Sequence, residues 1–181
     1  MTYESSAGKL LPVTVAPMLQ SRLIRHDLRP GDLGSVAALH GRVYAAEYRL
    51  DTTFEAHVAR GLAAFGDAVT ADPDAGRLWV AEHGALIGSI AVTRTSPTLC
   101  HLRWFCLARH ARGQGLGRRM LDGALAYARD CGYDVVELDT FSELKAAAHL
   151  YIDAGFELVD SQPMLRWGSQ IELRHYRLGL G

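Results

Sequence analysis

The stretch Leu107–Leu121, LARHARGQGLGRRML, decides the fold. Gly113, Gly115 and Gly117 alternate with Gln114 and Leu116, and Arg109, Arg112, Arg118 and Arg119 surround them. An apolar run, LRWFCL (102–107), comes before, and an amphipathic run, RRMLDGALAYARDCG (118–132), comes after. The glycines therefore occupy a strand-to-helix turn. The first amides of a helix lack intrahelical partners and carry partial positive charge. Such an end binds phosphate where no side chain blocks the approach. Glycines clear that approach and permit positive φ, and arginines add charge-assisted hydrogen bonds. The turn reads as an anion cradle. Arg118 and Arg119 oppose the dipole of the helix they open, a conflict that a bound pyrophosphate resolves.

Two common phosphate loops do not fit. A P-loop needs Lys and Ser or Thr after its last glycine, and Gly117 is followed by Arg118 and Arg119. The dinucleotide pattern G-x-G-x-x-G fails at Arg118 counted from Gly113, and at Met120 counted from Gly115. What remains is Arg112-x-x-Gly115-x-Gly117.

Outward from the turn, the pattern is mixed α/β. RLIRHDLR (22–29) alternates as a first strand, and Asp32 in RPGDLG reads as a helix N-cap. Val36, Leu39, Val43 and Ala46 recur at helical spacing, as do Phe54, Val58, Leu62 and Phe65 in a second helix capped by Asp51 or Thr52. ADPDAG (71–76) is a turn. RLWVAEH and LIGSIAVTR form a hairpin, with Gly88 as a bulge marker. TLCHLRWFCL is a further strand. The helix after the cradle buries Met120, Leu121, Ala124, Leu125 and Ala128 and stops at Gly132. YDVVELDT is a short strand, and SELKAAAHLYIDAG a helix capped by Ser142 and stopped at Gly155. FELVDSQPML and IELRHYRL end the chain as strands. Parallel pairing is expected only in the second half, where strand–helix–strand units supply the crossover.

With 181 residues, the chain is read as a loosely ordered N-terminal arm (1–20) and a single domain (21–181). Pro12 and Pro17 break the leader's apolar stretch, which disfavours a signal peptide. No run approaches the ~20 apolar residues of a membrane span. A formal net charge of −1 speaks against a general nucleic-acid binder. Cys100, Cys106 and Cys131 have neither disulfide nor metal-ligand spacing, which points to reduced thiols and a cytoplasmic protein. The eight histidines show no H-x-x-x-H or H-E-x-x-H spacing, so no metal is expected.

The Arg112–Gly117 pattern resembles the acetyl-coenzyme A signature, [QR]-x-x-G-x-[GA], of the GCN5-related N-acetyltransferase (GNAT) family. Leu150, Tyr151, Gly155 and Phe156 resemble its late L-Y-x-x-x-G-F element. A closer likeness, over roughly residues 21–178, is to the acetyltransferase halves of bacterial MarR-type regulator fusions. It rests on LHGRVYAAEYRLDTTFEAHVARGLAAF, LRWFCLARHARGQGLGRRML and YIDAGFELV. Only about twenty residues precede the first strand, so the chain is read as a stand-alone relative without the DNA-binding half.

The resemblance implies a GNAT fold, a mixed and mostly antiparallel sheet of about seven strands with four helices. It implies acetyl transfer from acetyl-CoA, as co-substrate, to a primary amine by direct attack in a ternary complex. The pyrophosphate would lie on Arg112, Gly113, Gln114, Gly115, Leu116, Gly117 and Arg118. Phe105, Cys106 and Leu107 would line the pantetheine arm, and their amides could stabilise an oxyanion. Tyr151 would be general acid to the leaving thiolate, since a phenol is mostly protonated at neutral pH. Alternation puts Cys106 on the face opposite Phe105 and Leu107 and reads it as a buried apolar thiol. Glu47 is the candidate base or acceptor contact, near Tyr44 and Tyr48, with Glu82, His101 and Glu137 as alternatives on strands. The acceptor would be a small-molecule or protein amine, and the late strands, IELRHYRL in particular, offer a homodimer edge.

Two departures stand out. Ala108 and Arg109 follow Leu107, where many members carry a proline, and Phe141 or Ser142 replaces a frequent asparagine. A non-catalytic coenzyme-A-binding sensor is the alternative function.

Overall fold

The structure, a computed structural model, describes residues 23–181. The expected N-terminal arm lies outside the described residues. The elements run β1 (Leu23–Arg25), α1 (Asp32–Tyr48), α2 (Thr52–Ala71), β2 (Gly76–Glu82), β3 (Leu86–Arg94), β4 (Leu99–Leu107), α3 (Leu116–Asp130), β5 (Val135–Phe141), α4 (Lys145–Asp153), β6 (Glu157–Arg166) and β7 (Ser169–Gly179). The expected order and the mixed α/β class both hold.

One seven-stranded sheet has the order β1-β2-β3-β4-β5-β7-β6. Only β4 and β5 run parallel, joined across α3, as a right-handed crossover requires. Each face of the sheet carries its own core. On one side Met120, Leu121, Ala124 and Leu125 of α3 pack with Cys100, Leu102, Val136, Tyr151 and Phe156. On the other, Val36, Leu39 and Tyr44 of α1 and Phe54, Val58, Leu62 and Phe65 of α2 pack with Trp104, Cys106 and Phe141.

Local chemistry explains most boundaries. The Asp51 carboxylate accepts the Thr53 amide and caps α2. Gly132 and Gly155, at φ 77° and 94°, end α3 and α4 in the left-handed region. Pro163 sits in β6, an edge strand, where a missing amide costs no ladder bond.

Several expectations need correction. Asp32 is the first residue of α1 rather than its N-cap, and Gly31 occupies the cap. The Asp32 carboxylate instead receives a fork of two bonds from Arg25, at 2.7 and 2.9 Å. Ser142 caps nothing: α4 starts at Lys145, and the Ser142 amide donates to the Glu172 carbonyl. β1 is only three residues long. The β2–β3 register shifts at Ala81/Glu82, so the irregular residue is Ile87, beside Gly88. IELRHYRL lies in β7, which pairs with β5 and β6 on its two sides, so the free edge belongs to β6.

Candidate functional site: two clefts meeting at β4

β4 builds the site because it breaks its own alternation. Its register with β3 slips between Ser89 and Ala91, and Trp104 takes a positive φ of 49°. This is a β-bulge, one extra residue in one strand. The Ser89 hydroxyl donates to the Trp104 carbonyl at 2.7 Å, which holds it. A Cβ built on Gly61 of α2 would lie 3.1 Å from the Trp104 ring and 3.4 Å from the Arg103 guanidinium. Consecutive side chains thus turn to the same face. After the bulge the phase is inverted. Trp104 and Cys106 join the α1/α2 core, while Phe105 and Leu107 pack toward α3. Cys106 therefore faces away from Phe105 and Leu107. Burial pushes its thiol up to about 12, so it is held as a neutral thiol.

β4 and β5 then part. Their pairing runs only from Leu99↔Val135 to Leu102↔Leu138. Beyond it β5 continues against β7, and the β4 segment 103–107 has no β5 partner. A gap opens at the parallel pair, directly before the glycine-rich turn.

One cleft, of about 290 Å³, runs from this gap to the turn. Phe105, Cys106, Leu107, Arg112, Gly113, Gly115, Gly117 and Arg118 line it, with Val43, Tyr44 and Tyr48 of α1 and Leu144, Ala147 and Leu150 opposite. Gly113 and Gly115 have φ of 72° and 73°, and a Cβ on either would meet nothing within 4 Å. They are glycines for conformation, and their outer side is open. Gly117 differs: it is helical, and a Cβ there would come within 3.3 Å of Leu150 and 3.4 Å of Leu107. The Arg119 amide bonds back to the Gly115 carbonyl. The Leu116, Gly117 and Arg118 amides precede that bond and form the donor end of α3. An open rim and a donor end, with Arg112 and Arg118 on the lining, suit a pyrophosphate.

Two cradle residues do not line the cleft with their side chains. Leu116 is buried in the core at 1% exposure, and the Gln114 side-chain amide donates to the His110 carbonyl. Arg118 pairs with Asp153 at 3.2 Å. Arg112 is a strap: its Nε–H donates to the Leu107 carbonyl at 3.0 Å and its Nη1–H to Glu47 at 2.6 Å. Glu47 lines neither cleft. Glu47, the candidate base or acceptor contact, is thus placed on Arg112 rather than on a cleft wall.

A larger cleft, of about 790 Å³, lies between α2, β4, β5 and the β6–β7 turn. It shares Tyr44, Phe105, Leu144 and Ala147 with the smaller one, so the two meet at those residues. Tyr151 lines it at 4% exposure, with ring centroids 6.1 Å from Phe105 and 5.7 Å from Phe156. Burial, with smaller contributions from Cys106 and Tyr176, raises its pKa above the usual phenol range. The hydroxyl keeps its proton and makes no hydrogen bond to another described residue. Phe141, in the expected asparagine position, packs edge-on against Tyr44 and Tyr48.

His101 also lines this cleft, 3.4 Å from Asp139, which accepts from His175 at 2.9 Å. The histidines hold the Asp139 carboxyl down at about 2. Glu137 lies 3.7 Å from both His175 and Arg177, and Glu82 is taken by Arg25. His40 was not legible as a site residue. It is 2% exposed in α1, and its Nδ1 lies 2.9 Å from the Val36 carbonyl. A carbonyl only accepts, so Nδ1 carries the proton and Nε2 presents a lone pair. That Nε2 has no hydrogen-bond partner among the described residues, and the residue lines the larger cleft. A lone histidine in an apolar helix face gives no sequence signal for this.

The chain belongs to the acetyltransferase (GNAT) family, whose model matches residues 42–156. An L-amino acid N-acyltransferase of Escherichia coli is 32% identical over 71 residues, 38% of this chain and 41% of that protein. The chain spans about half or less of the length of the curated relatives it matches. Among solved structures, an acetyltransferase from Salmonella typhimurium with its cofactor acetyl-CoA superposes with a TM-score of 0.67 at 19% identity. It covers 88% of this chain and 94% of that one. A spermidine N-acetyltransferase from Vibrio cholerae, in complex with CoA and spermine, gives 0.66 at 19% identity, over 88% and 95%. At such identity these structures speak for the fold, a seven-stranded mixed sheet with four helices. No helix among the described residues is long and apolar enough to cross a membrane.

Proposed function

We propose that the protein is an N-acetyltransferase that moves the acetyl group of acetyl-CoA onto a primary amine in a ternary complex. The observation that carries this reading is the meeting of two clefts at Tyr44 and Phe105. One has the chemistry of a coenzyme channel, and the other has room for an amine. The coenzyme supplies an activated thioester. Arg112, Gly113, Gly115, Gly117 and Arg118, with the first amides of α3, would hold its pyrophosphate. The β4 backbone at 105–107, without a strand partner on its β5 side, would bind its arm and offer N–H groups to a developing oxyanion. Tyr151, protonated at neutral pH, would donate its hydroxyl proton or a hydrogen bond to the leaving sulfur. Nucleic acid and membrane have no part in this reading. It is compatible with a cytoplasmic enzyme and with a homodimer paired through the β6 edge.

Calorimetric titration with acetyl-CoA tests it. Wild type should bind. Gly115→Ala, strained at positive φ by about 1 kcal/mol, should weaken binding modestly, and Gly115→Glu should abolish it by adding a carboxylate to the cradle. No binding by wild type sinks the reading. Binding without thiol release on any amine would make the chain a coenzyme-A-binding module instead.

A further inference from the structure

Arg103 had no role in the sequence, and its surroundings supply one. It is partly buried in the larger cleft, with its guanidinium 4.7 Å from the centroid of the Trp104 ring. Among the described residues it has no ion-pair partner. The same cleft holds Arg166, 4.5 Å over the Trp167 ring and likewise without a carboxylate among the described residues, and His57, 5.4 Å from that ring. Arg94, a third arginine of the lining, is satisfied by Asp72. Asp139 is the only acidic residue of the lining; His101 and His175 contact it, and its charge reaches Arg103 without forming an ion pair. The charges felt by His57 all have one sign: Arg166, Arg103 and Arg60 each push its proton affinity down, as does burial. A partly buried arginine without a carboxylate is costly to hold, and a field of this sign repels polycations. The walls between these charges are Phe54, Trp104 and Trp167.

From this arrangement we infer that the acceptor is a small primary amine carrying a carboxylate, with Arg103 as its principal anchor and Arg166 and His57 supporting it. The aromatic walls select an apolar body between the two ends. This rests on the acetyltransferase reading, and it sets the acceptor apart from polyamines.

The test uses matched ligands: L-phenylalanine and L-methionine, their carboxamides, and spermidine. Binding is read first, without turnover, from the fluorescence of Trp104 and Trp167 on titration of the full chain. Acetyl transfer is then read as thiol release. The acids should be preferred over the amides on the order of 100-fold in kcat/KM. An amide's amine is the more weakly basic and the more readily deprotonated, so preference for the acid cannot arise from amine reactivity. Arg103→Gln should shrink that ratio about tenfold, through KM rather than kcat, with acetyl-CoA binding unchanged. Arg166→Gln, at an exposed position that does not endanger folding, should lower it by a smaller factor. Equal or better binding of amides or spermidine, or no binding of the acids, overturns the inference. Transfer to acids and amides alike overturns it while leaving the acetyltransferase reading intact. Acid-selective quenching without transfer to any amine does the reverse.

Discussion

Arg25 and Arg103 are both held out of full solvent, and they live in opposite circumstances. Arg25, at 8% exposure, gives two bonds to Asp32 and one, at 2.8 Å, to Glu82. It ties β1 to α1 and β2, and apart from the Asp27 carbonyl its partners are charges supplied by the chain. Arg103 lies over an aromatic ring and has no ion-pair partner among the described residues; only the charge of Asp139 reaches it. The contrast extends to the regions around them. At the β1–α1 end the charges are paired internally, and only the Arg25 Nε is left without a hydrogen-bond partner among the described residues. Along the two clefts, the Nε2 of His40, the Tyr151 hydroxyl and the Arg103 guanidinium have no hydrogen-bond or ion-pair partner among the described residues. A polar group closed on itself holds a fold together, whereas one left open is a place for a ligand.

Stability measurements should separate the two arginines most sharply. Arg25→Met strands the Asp32 carboxylate, and urea unfolding should show a loss of about 3–5 kcal/mol. Arg103→Met should change the same quantity by less than about 1 kcal/mol. A comparable loss from both would break the comparison.

Next in size is the acid limb of stability. His40, buried with its proton on Nδ1, has its pKa lowered to about 4 by desolvation, against about 6.5 when unfolded. The unfolded chain binds this proton more readily, so the contribution is present above pH 6.5 and is lost as pH falls toward 4. The expected loss at pH 4 is about 3 kcal/mol. His40→Phe should flatten the stability profile between those values. An unchanged slope would mean that His40 does not carry it.

Tyr151→Phe probes an open group by activity. It should lower kcat about 100-fold and leave acetyl-CoA affinity and unfolding free energy near wild type. A full-speed Phe variant would remove the acid role from Tyr151. The smallest effect belongs to a closed group: Asp51→Ala, which removes the cap of α2, should cost about 1 kcal/mol and leave kinetics untouched.

What the sequence discloses follows from how local each feature is. The cradle is local. Its glycines and arginines are contiguous, and the flanking periods announce strand and helix. The buried face of α3 and the stops at Gly132 and Gly155 were readable for the same reason. Asp32 was misread because its partner Arg25 lies seven residues away, and the cluster closes on Glu82 from another strand. Ser142 was misread as a cap because α4 starts only at Lys145, three residues later. The pairing of Glu47 was not legible because Arg112 reaches it across 65 positions. The bulge at Trp104 belongs to the pairing of β4 with β3, and no spacing within TLCHLRWFCL announces it. Arg103 and His40 acquire meaning only once α1 and α2 close over that strand.

The bulge also divides β4 into two stretches that can vary separately. Residues 101 and 103 furnish the wall of the larger cleft, and 105 and 107, one phase later, contact the neighbourhood of the glycine turn. In the proposed function, substitutions in the first stretch would retune which amine is admitted while leaving the donor channel in place. Ser89, through its bond to the Trp104 carbonyl, is the joint between the two halves of the strand.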